Sequence, residues 1–480
     1  MFVLALDVGT SSVRALVYDE QGRQVEGAGA HERYTQSRGH SGRLGEFDAD
    51  ELVEAAREAI DEARREMPGR IDAVAASCFW HSLVAVDVNG RALTTVSTWR
   101  DTRAAVEAGE LARELSTEAV HARTGCPLHP SFWPARLRRL KRDEPDVFRS
   151  AERFLSFPDY ALLKLAGDHR TSVSMASGTG LLQLESRTWD EELLEALDLD
   201  PGRLPEISDE PVGMREQWYP AVGDGACSNV GAGCVTADAA ALMIGTSGAY
   251  RVIRGGEPAP RPGLFMYRVD EQRLVEGGSI SDGGNLYDWL ERTLSAVDTR
   301  GLVDEPADGH GLTFLTLLGG ERSPGWNADA RGAIAGLSFG TEPRHILQAA
   351  LEGVALRFSE IAELMPEVDR VVATGGALLE NAGWVQILAD ALGRRVTLSA
   401  VAEASARGAA VVTLERLGEI PVPAPLGPTF EPRHERTQAL AAARERQRTL
   451  YRALGSPLSR VDRSFPTDGG KPRRPECRHR

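Results

Sequence analysis

Cysteine is scarce and scattered in this chain. Its five cysteines, Cys78, Cys126, Cys227, Cys234 and Cys477, form no C-x-x-C pair and no cluster at metal-ligand spacing. That excludes a disulfide framework and fits reduced thiols in a reducing compartment. No apolar run approaches the ~20 residues that a bilayer-spanning helix requires. Met1 leads straight into a strand-like run with no charged leader, so a soluble cytoplasmic protein without a membrane partner is expected. Positive charge is in deficit, with 55 Lys and Arg against 70 Asp and Glu and a formal net charge of −15. This argues against a nucleic-acid partner but leaves room for a local basic pocket that takes an anionic substrate. Two nucleotide signatures are also missing. Without G-x-x-x-x-G-K-[ST] there is no P-loop, and without G-x-G-x-x-G between strand and helix there is no dinucleotide fingerprint.

What remains is the composition of an ordinary globular protein, 42% apolar and 26% charged. A chain of 480 residues is long for one core, so two domains are expected. Residues 2–6 and 13–18 read as paired strands, and the "DEQGR" that follows turns into a third. Residues 48–67 carry Leu52, Val53, Ala56, Ile60 and Ala63 at helical spacing behind an acidic start. A buried strand at 71–80 completes a β, helix, β alternation, which implies an α/β domain with a mixed sheet. Residues 134–165 read as helical, 189–197 as a short amphipathic helix, and 345–365 as a long core helix. A strand, a Gly-Gly turn, a helix and a strand follow over 368–396, and a terminal helix over 434–454. From about 456 the chain is rich in Pro, Arg, Lys and Gly, and a disordered basic tail is expected.

Two short stretches share one design. "ALDVGTSSVRALVYD" (5–19) and "ALMIGTSGAYRVI" (241–253) each place Gly-Thr-Ser between two apolar strands. An ordinary hairpin turn needs only two such residues. The duplication suggests two related domains facing each other across a cleft. Turn N–H groups and hydroxyls of this kind converge on anionic oxygens, which suits a triphosphate. Asp7 is then placed to anchor Mg2+ through water.

Eight motifs in order carry a resemblance to the FGGY carbohydrate kinases with the actin-like ATPase (ribonuclease H-like) fold. They are "LDVGTSSVRA", "WRDTR" (99–103), "DGACSNVGAG" (224–233), "IGTSGAYR", "EGGSISDGG" (276–284), "GGERSPGW" (319–326), "ATGGALLENAGWVQILADALG" (373–393) and "EASARGAA" (403–410). The literal string FGGY does not occur, and "PARLRRLK" places Arg136 and Arg139 where relatives usually have Lys and Trp. The resemblance implies two related α/β domains: a sugar-binding one over 1–238 and a nucleotide-binding one over 239–455, with the tail over 456–480. It also implies a kinase moving the γ-phosphoryl of ATP, with Mg2+, to a hydroxyl of a sugar or sugar acid.

Residue by residue, Asp224 matches the family's general base. Thr10, Ser11, Thr246 and Ser247 match the phosphate cradle, Asp7 the Mg2+ site, and Arg14 a phosphate or substrate contact. Gly375, Gly376 and Leu379 match the adenosine wall, with Asn381 on the same loop. His81, Trp99, Asp101 and Arg103 fall where the family lines its sugar pocket. The stretches "TGCPLHPSFWPARLRRLK" and "FPDYALLKLAG" resemble gluconokinase-type members most. A carboxylate substrate requires cations, and His81, Arg103, His129 and Arg136 are the candidates, with Arg136 first. Xylulokinase or another polyol kinase is the alternative, and a non-catalytic actin-like nucleotide-binding protein the reading from another class. The expected partners are ATP and a small sugar or sugar acid, with homodimerisation left open.

Overall fold

Each Gly-Thr-Ser hairpin sits at the centre of its own sheet. The computed structural model describes residues 1–33, 45–67, 69–214, 216–294, 297 and 301–455. In the first half, strand Phe2–Val8 pairs antiparallel with Ser12–Asp19 and parallel with Ala73–Cys78. Gln24–Arg33 continues the hairpin side, and Val222–Gly223 lies outside Ala73–Cys78. In the second half, Ala239–Ile244 pairs antiparallel with Gly248–Gly255 and parallel with Arg370–Thr374. Arg273–Ile280 continues the hairpin side, then Phe265–Arg268, while Val396–Ser399 and Leu426–Phe430 extend the other edge. The two sheets therefore repeat one topology: a hairpin whose first strand lies parallel to a later one.

Helix Ala49–Glu66 forms because an apolar face recurs at helical spacing and Asp48 caps its start, accepting from the N–H groups of Asp50 and Glu51 at 3.0 Å. Its buried face, with Leu52, Ala56 and Ile60, covers the first sheet. Helix Pro343–Glu363 does the same for the second sheet, joined there by helix Ala382–Leu392. The expected helix over 134–165 is broken. Helices Trp133–Asp143 and Pro145–Ser150, strand Arg153–Leu155 and helix Phe157–Ala166 replace it. Pro145 and Pro158 each stand in the first turn of a new helix, where a missing N–H costs nothing. Together with Leu83, Leu181 and Leu193, this region builds a separate small core beside the first sheet.

The boundary at 238/239 separates the two sheets but not all the packing. Helix Ala404–Arg416 leaves the second sheet and packs on the first, burying Ala406, Ala409, Ala410 and Val412 in its core. It crosses helix Asp224–Gly231 closely. A Cβ on Gly231 would overlap the carbonyl of Ala404, and one on Gly408 the carbonyl of Cys227. The expected basic tail, 456–480, lies outside the described residues.

Candidate functional site

Asp224 opens helix Asp224–Gly231 at the point where the first sheet ends, its carboxylate accepting from the Gly225 N–H at 2.7 Å. The glycines on both sides have a steric cause. The Trp80 indole lies so close that a Cβ on Gly223 would overlap it, and one on Gly225 would come within 2.6 Å. On the other side, the Arg251 guanidinium carbon lies 3.0 Å from where a Gly225 Cβ would be. Arg251 reaches this place from the second strand of the second hairpin, and its Nε donates to Asn229 Oδ1 at 3.3 Å. Burial pushes the Asp224 carboxyl up to about 6, against the pull of Arg251 and with a further push from Asp7. A half-buried carboxylate poised there can accept a proton near neutral pH.

Near Asp224, side chains of the two halves converge in one cluster, the chamber. The first half contributes His81, Trp99 and His129; the second contributes Arg251, Tyr267, Arg322 and Trp326. His81 is held at φ +69°, with its Nδ1 2.5 Å from the Gly178 carbonyl. A carbonyl only accepts, so Nδ1 carries the proton and Nε2 is left as an acceptor. The His129 Nδ1 accepts from the Ser131 N–H at 3.2 Å, which places that ring's proton on Nε2. The His129 ring meets Trp326 edge-on at 5.4 Å, and Tyr267 lies 5.6 Å from His81. The Tyr267 hydroxyl is buried without a hydrogen-bond partner.

Four of the expected substrate residues behave differently from expectation. Burial and the nearby Arg322 hold both histidines neutral, His81 well below its usual range and His129 at about 3, so neither is a cation. Arg136 is buried with its donors engaged: Nε meets the Pro130 carbonyl at 3.0 Å, and its two Nη atoms meet the carbonyls of His81 and Thr98. It braces the loops behind the chamber, so the expectation that it receives a carboxylate is corrected. Arg103 is clamped to Asp101 by two bonds of 2.7 Å and also bonds Glu46. These residues and Arg136 line a separate cavity of about 400 Å3.

Beyond the chamber lie the two hairpin tips. Gly9 N–H bonds the Ser12 carbonyl at 2.9 Å, leaving Thr10 and Ser11 at the tip. Gly245 N–H bonds the Ser247 carbonyl at 3.0 Å in the matching turn around Thr246. Asp7 stands near the end of its strand opposite Arg14, 3.6 Å away, and Arg14 reaches Glu403 of the second half at 3.2 Å. Arg14 therefore bridges the halves rather than standing free. Burial raises the Asp7 carboxyl, against the Ser77 hydroxyl and Arg14.

The second hairpin opens onto a cavity of about 850 Å3, lined by Gly245, Thr246, Gly376, Asn381 and also Tyr287 and Asp288. That volume and its Gly-rich wall suit a nucleotide. Gly376 borders it with open space beyond its Cα, whereas Gly375, at φ +94°, is required by the Ile244 backbone against which it lies. Leu379 is half-buried outside the lining, and the Asn381 side chain also caps the next helix, accepting from the Trp384 N–H at 3.2 Å.

Sequence reasoning missed Arg251, Tyr267, Arg322, Trp326 and Tyr287. Arg251 left a signal: a lone charge inside the apolar strand "AYRVI" has a buried task. Arg322 stood within the quoted "GGERSPGW" without a role, because nothing local ties that loop to the first half.

Residues 2–214 match the model of the N-terminal domain of the FGGY family of carbohydrate kinases, and residues 240–414 that of its C-terminal domain. A gluconokinase of Bacillus subtilis is 28% identical over 458 residues, covering 87% of this chain and 88% of the relative. The crystal structure of a gluconate kinase from Lactobacillus acidophilus superposes with a TM-score of 0.84 at 25% identity, covering 95% of this chain and 98% of the other. A ligand-bound xylulose kinase from the same organism superposes with a TM-score of 0.85 at 25% identity, covering 95% and 99%.

Proposed function

We propose that this chain, which belongs to the FGGY family of carbohydrate kinases, is a gluconate kinase that makes 6-phosphogluconate. ATP is the family's phosphoryl donor. The observation that carries the choice of acceptor is charge. Two guanidiniums, those of buried Arg251 and half-buried Arg322, lie near one carboxylate, Asp224, and neither has an ion pair among the described residues. A chamber with this cationic excess favours an anionic acceptor, because a carboxylate leaving water requires a fixed partner.

In this reading Asp224 takes the proton of the acceptor hydroxyl as its oxygen attacks the γ-phosphorus. Arg251 keeps Asp224 ionised and adds positive charge beside the phosphoryl group in flight. Thr10, Ser11, Thr246 and Ser247 hold the phosphates from the two hairpins, and the 850 Å3 cavity takes the adenosine. Mg2+ fits the donors present. No cluster of three metal-ligating side chains exists among the described residues, and Mg2+ is commonly held by one or two carboxylates with phosphates and water. Asp7 supplies hard oxygens in the strand that leads into the first Gly-Thr-Ser turn. When bound, the ion would offset charge on the phosphates. Neutral His81 and the Tyr267 hydroxyl suit acceptor hydroxyl groups, and these are equally present in a ketose such as xylulose.

A coupled ADP-release assay over gluconate, xylulose, ribulose and glycerol decides between them. Gluconate is expected to exceed xylulose in kcat/KM by at least about 100-fold, equal to ~2.7 kcal/mol and within reach of one charge-assisted pair. A neutral polyol turned over better than gluconate would replace this reading with the alternative.

A further inference from the structure

We infer that Arg322, held against the indoles of Trp99 and Trp326, is the residue that reads the acceptor's carboxylate and so sets the preference for a sugar acid over a neutral sugar. This rests on gluconate being the acceptor. The guanidinium carbon lies 5.3 Å from the Trp99 ring centre and 5.9 Å from that of Trp326. An aromatic contact of this kind fixes the plane of a guanidinium without using its N–H donors. The donors stay available, and the Arg322 Nε is buried with no hydrogen-bond partner.

Most other arginines in the region have their charge or donors engaged; Arg100 also lies over Trp99, at 5.4 Å, but only Arg322 among the described residues touches both Trp99 and Trp326. Arg14 is paired with Asp7 and Glu403, and Arg103 with Asp101 and Glu46. Arg136 is bonded to three carbonyls. Arg251, in the second strand of the second hairpin, donates its Nε to Asn229 and faces Asp224, so its charge is turned to the carboxylate although its Nη2 has no hydrogen-bond partner. Arg322 instead sits on the acceptor side. Its Trp99 partner belongs to the first half, and its Trp326 partner packs against His129 at 5.4 Å and Phe132 at 6.0 Å. Its charge lowers both His81 and His129, which places it among the groups that would meet acceptor hydroxyls.

The chemistry follows from shape. A planar, pre-oriented fork matches a carboxylate through two parallel N–H···O bonds. A neutral ketose has nothing to fill that fork, and burying it unfilled costs binding. Lysine at this position would retain charge but lose both the fork and the stacking.

The test changes the ligand and the residue together. Gluconamide is the neutral counterpart of gluconate with the same hydroxyl pattern. The wild-type enzyme should prefer gluconate to gluconamide in kcat/KM by at least about 100-fold. In Arg322→Gln the ratio should collapse to within about 3-fold, and in Arg322→Lys it should be intermediate. Most of the loss should appear in KM for gluconate. Thermal melting and MgATP affinity of both variants show that each is folded, and Arg322→Lys carries the test if Arg322→Gln is not. An unchanged ratio in the folded variants overturns the role of Arg322 while gluconate stands as the acceptor. A wild-type preference for a neutral polyol over gluconate overturns both.

Discussion

Asp224 shows how a short motif acquires its chemistry. "VGDGA" reads locally as a turn, yet its glycines are demanded by Trp80 and Arg251, and the aspartate between them heads a helix at the end of a sheet. Desolvation raises its carboxyl to about 6, so it is charged, and therefore a base, above that pH and protonated below it. The kcat/KM profile should accordingly lose activity as pH falls through about 6. Asp224→Asn should lower kcat by roughly 10²–10⁴ while MgATP binding survives; near-normal turnover would remove Asp224 from the base role. Because Arg251 pulls the Asp224 carboxyl down, Arg251→Gln should move the acid limb of the profile to higher pH. A limb that stays in place would show that another group titrates there. Asp224 was legible in the sequence through its motif. The engagement of Arg136 was not: a string of letters shows it as a charge on a helix but not the three carbonyls that occupy it.

The paired hairpins were legible because strand alternation and a repeated Gly-Thr-Ser turn are local patterns, and the two sheets do repeat one topology. The crossing of helices 224–231 and 404–416 was not, since the residues that meet there, such as Gly231 and Arg407, are 176 positions apart. "GAG" and "ARGAA" are unremarkable until the carbonyls of Ala404 and Cys227 are seen pressed against Gly231 and Gly408. At these two positions a methyl group has no room. Gly408→Ala should destabilise the protein by roughly 1–3 kcal/mol through overpacking, seen as a lower melting temperature. Because the displaced helix also carries Asp224, kcat should fall as well. Unchanged stability and kcat would mean that the helices part without cost. At the hairpins, Thr246→Val removes a hydroxyl that borders the 850 Å3 cavity proposed to take the nucleotide. It should weaken MgATP binding or lower kcat by an amount equal to roughly 1–3 kcal/mol, and no change in either would leave the second hairpin a purely structural turn.

On the scale of the whole molecule, the proposed acceptor site draws on both halves. Trp99, His129 and Asp224 come from one side, and Arg251, Tyr267, Arg322 and Trp326 from the other. Arg14 and Glu403 join the halves near Asp7, and helix Ala404–Arg416 crosses between them. Closure around an acceptor would exclude water from the γ-phosphate, which otherwise competes with the sugar hydroxyl as nucleophile. An acceptor that bridges Arg322 on one half and His81 on the other stabilises the closed arrangement by its own binding energy. ATP hydrolysis without gluconate should therefore run at least about 100-fold slower than phosphoryl transfer with it. The same closure has an optical readout, because Trp99 and Trp326 flank Arg322 from opposite halves. Gluconate added with a non-hydrolysable ATP analogue should change intrinsic fluorescence more than the sum of the two ligands added singly, and Trp99→Phe should remove most of that excess. Strictly additive changes, together with ATP hydrolysis that is indifferent to acceptor, would mean that the chamber is assembled before the acceptor arrives. Discrimination against water would then have to come from positioning alone.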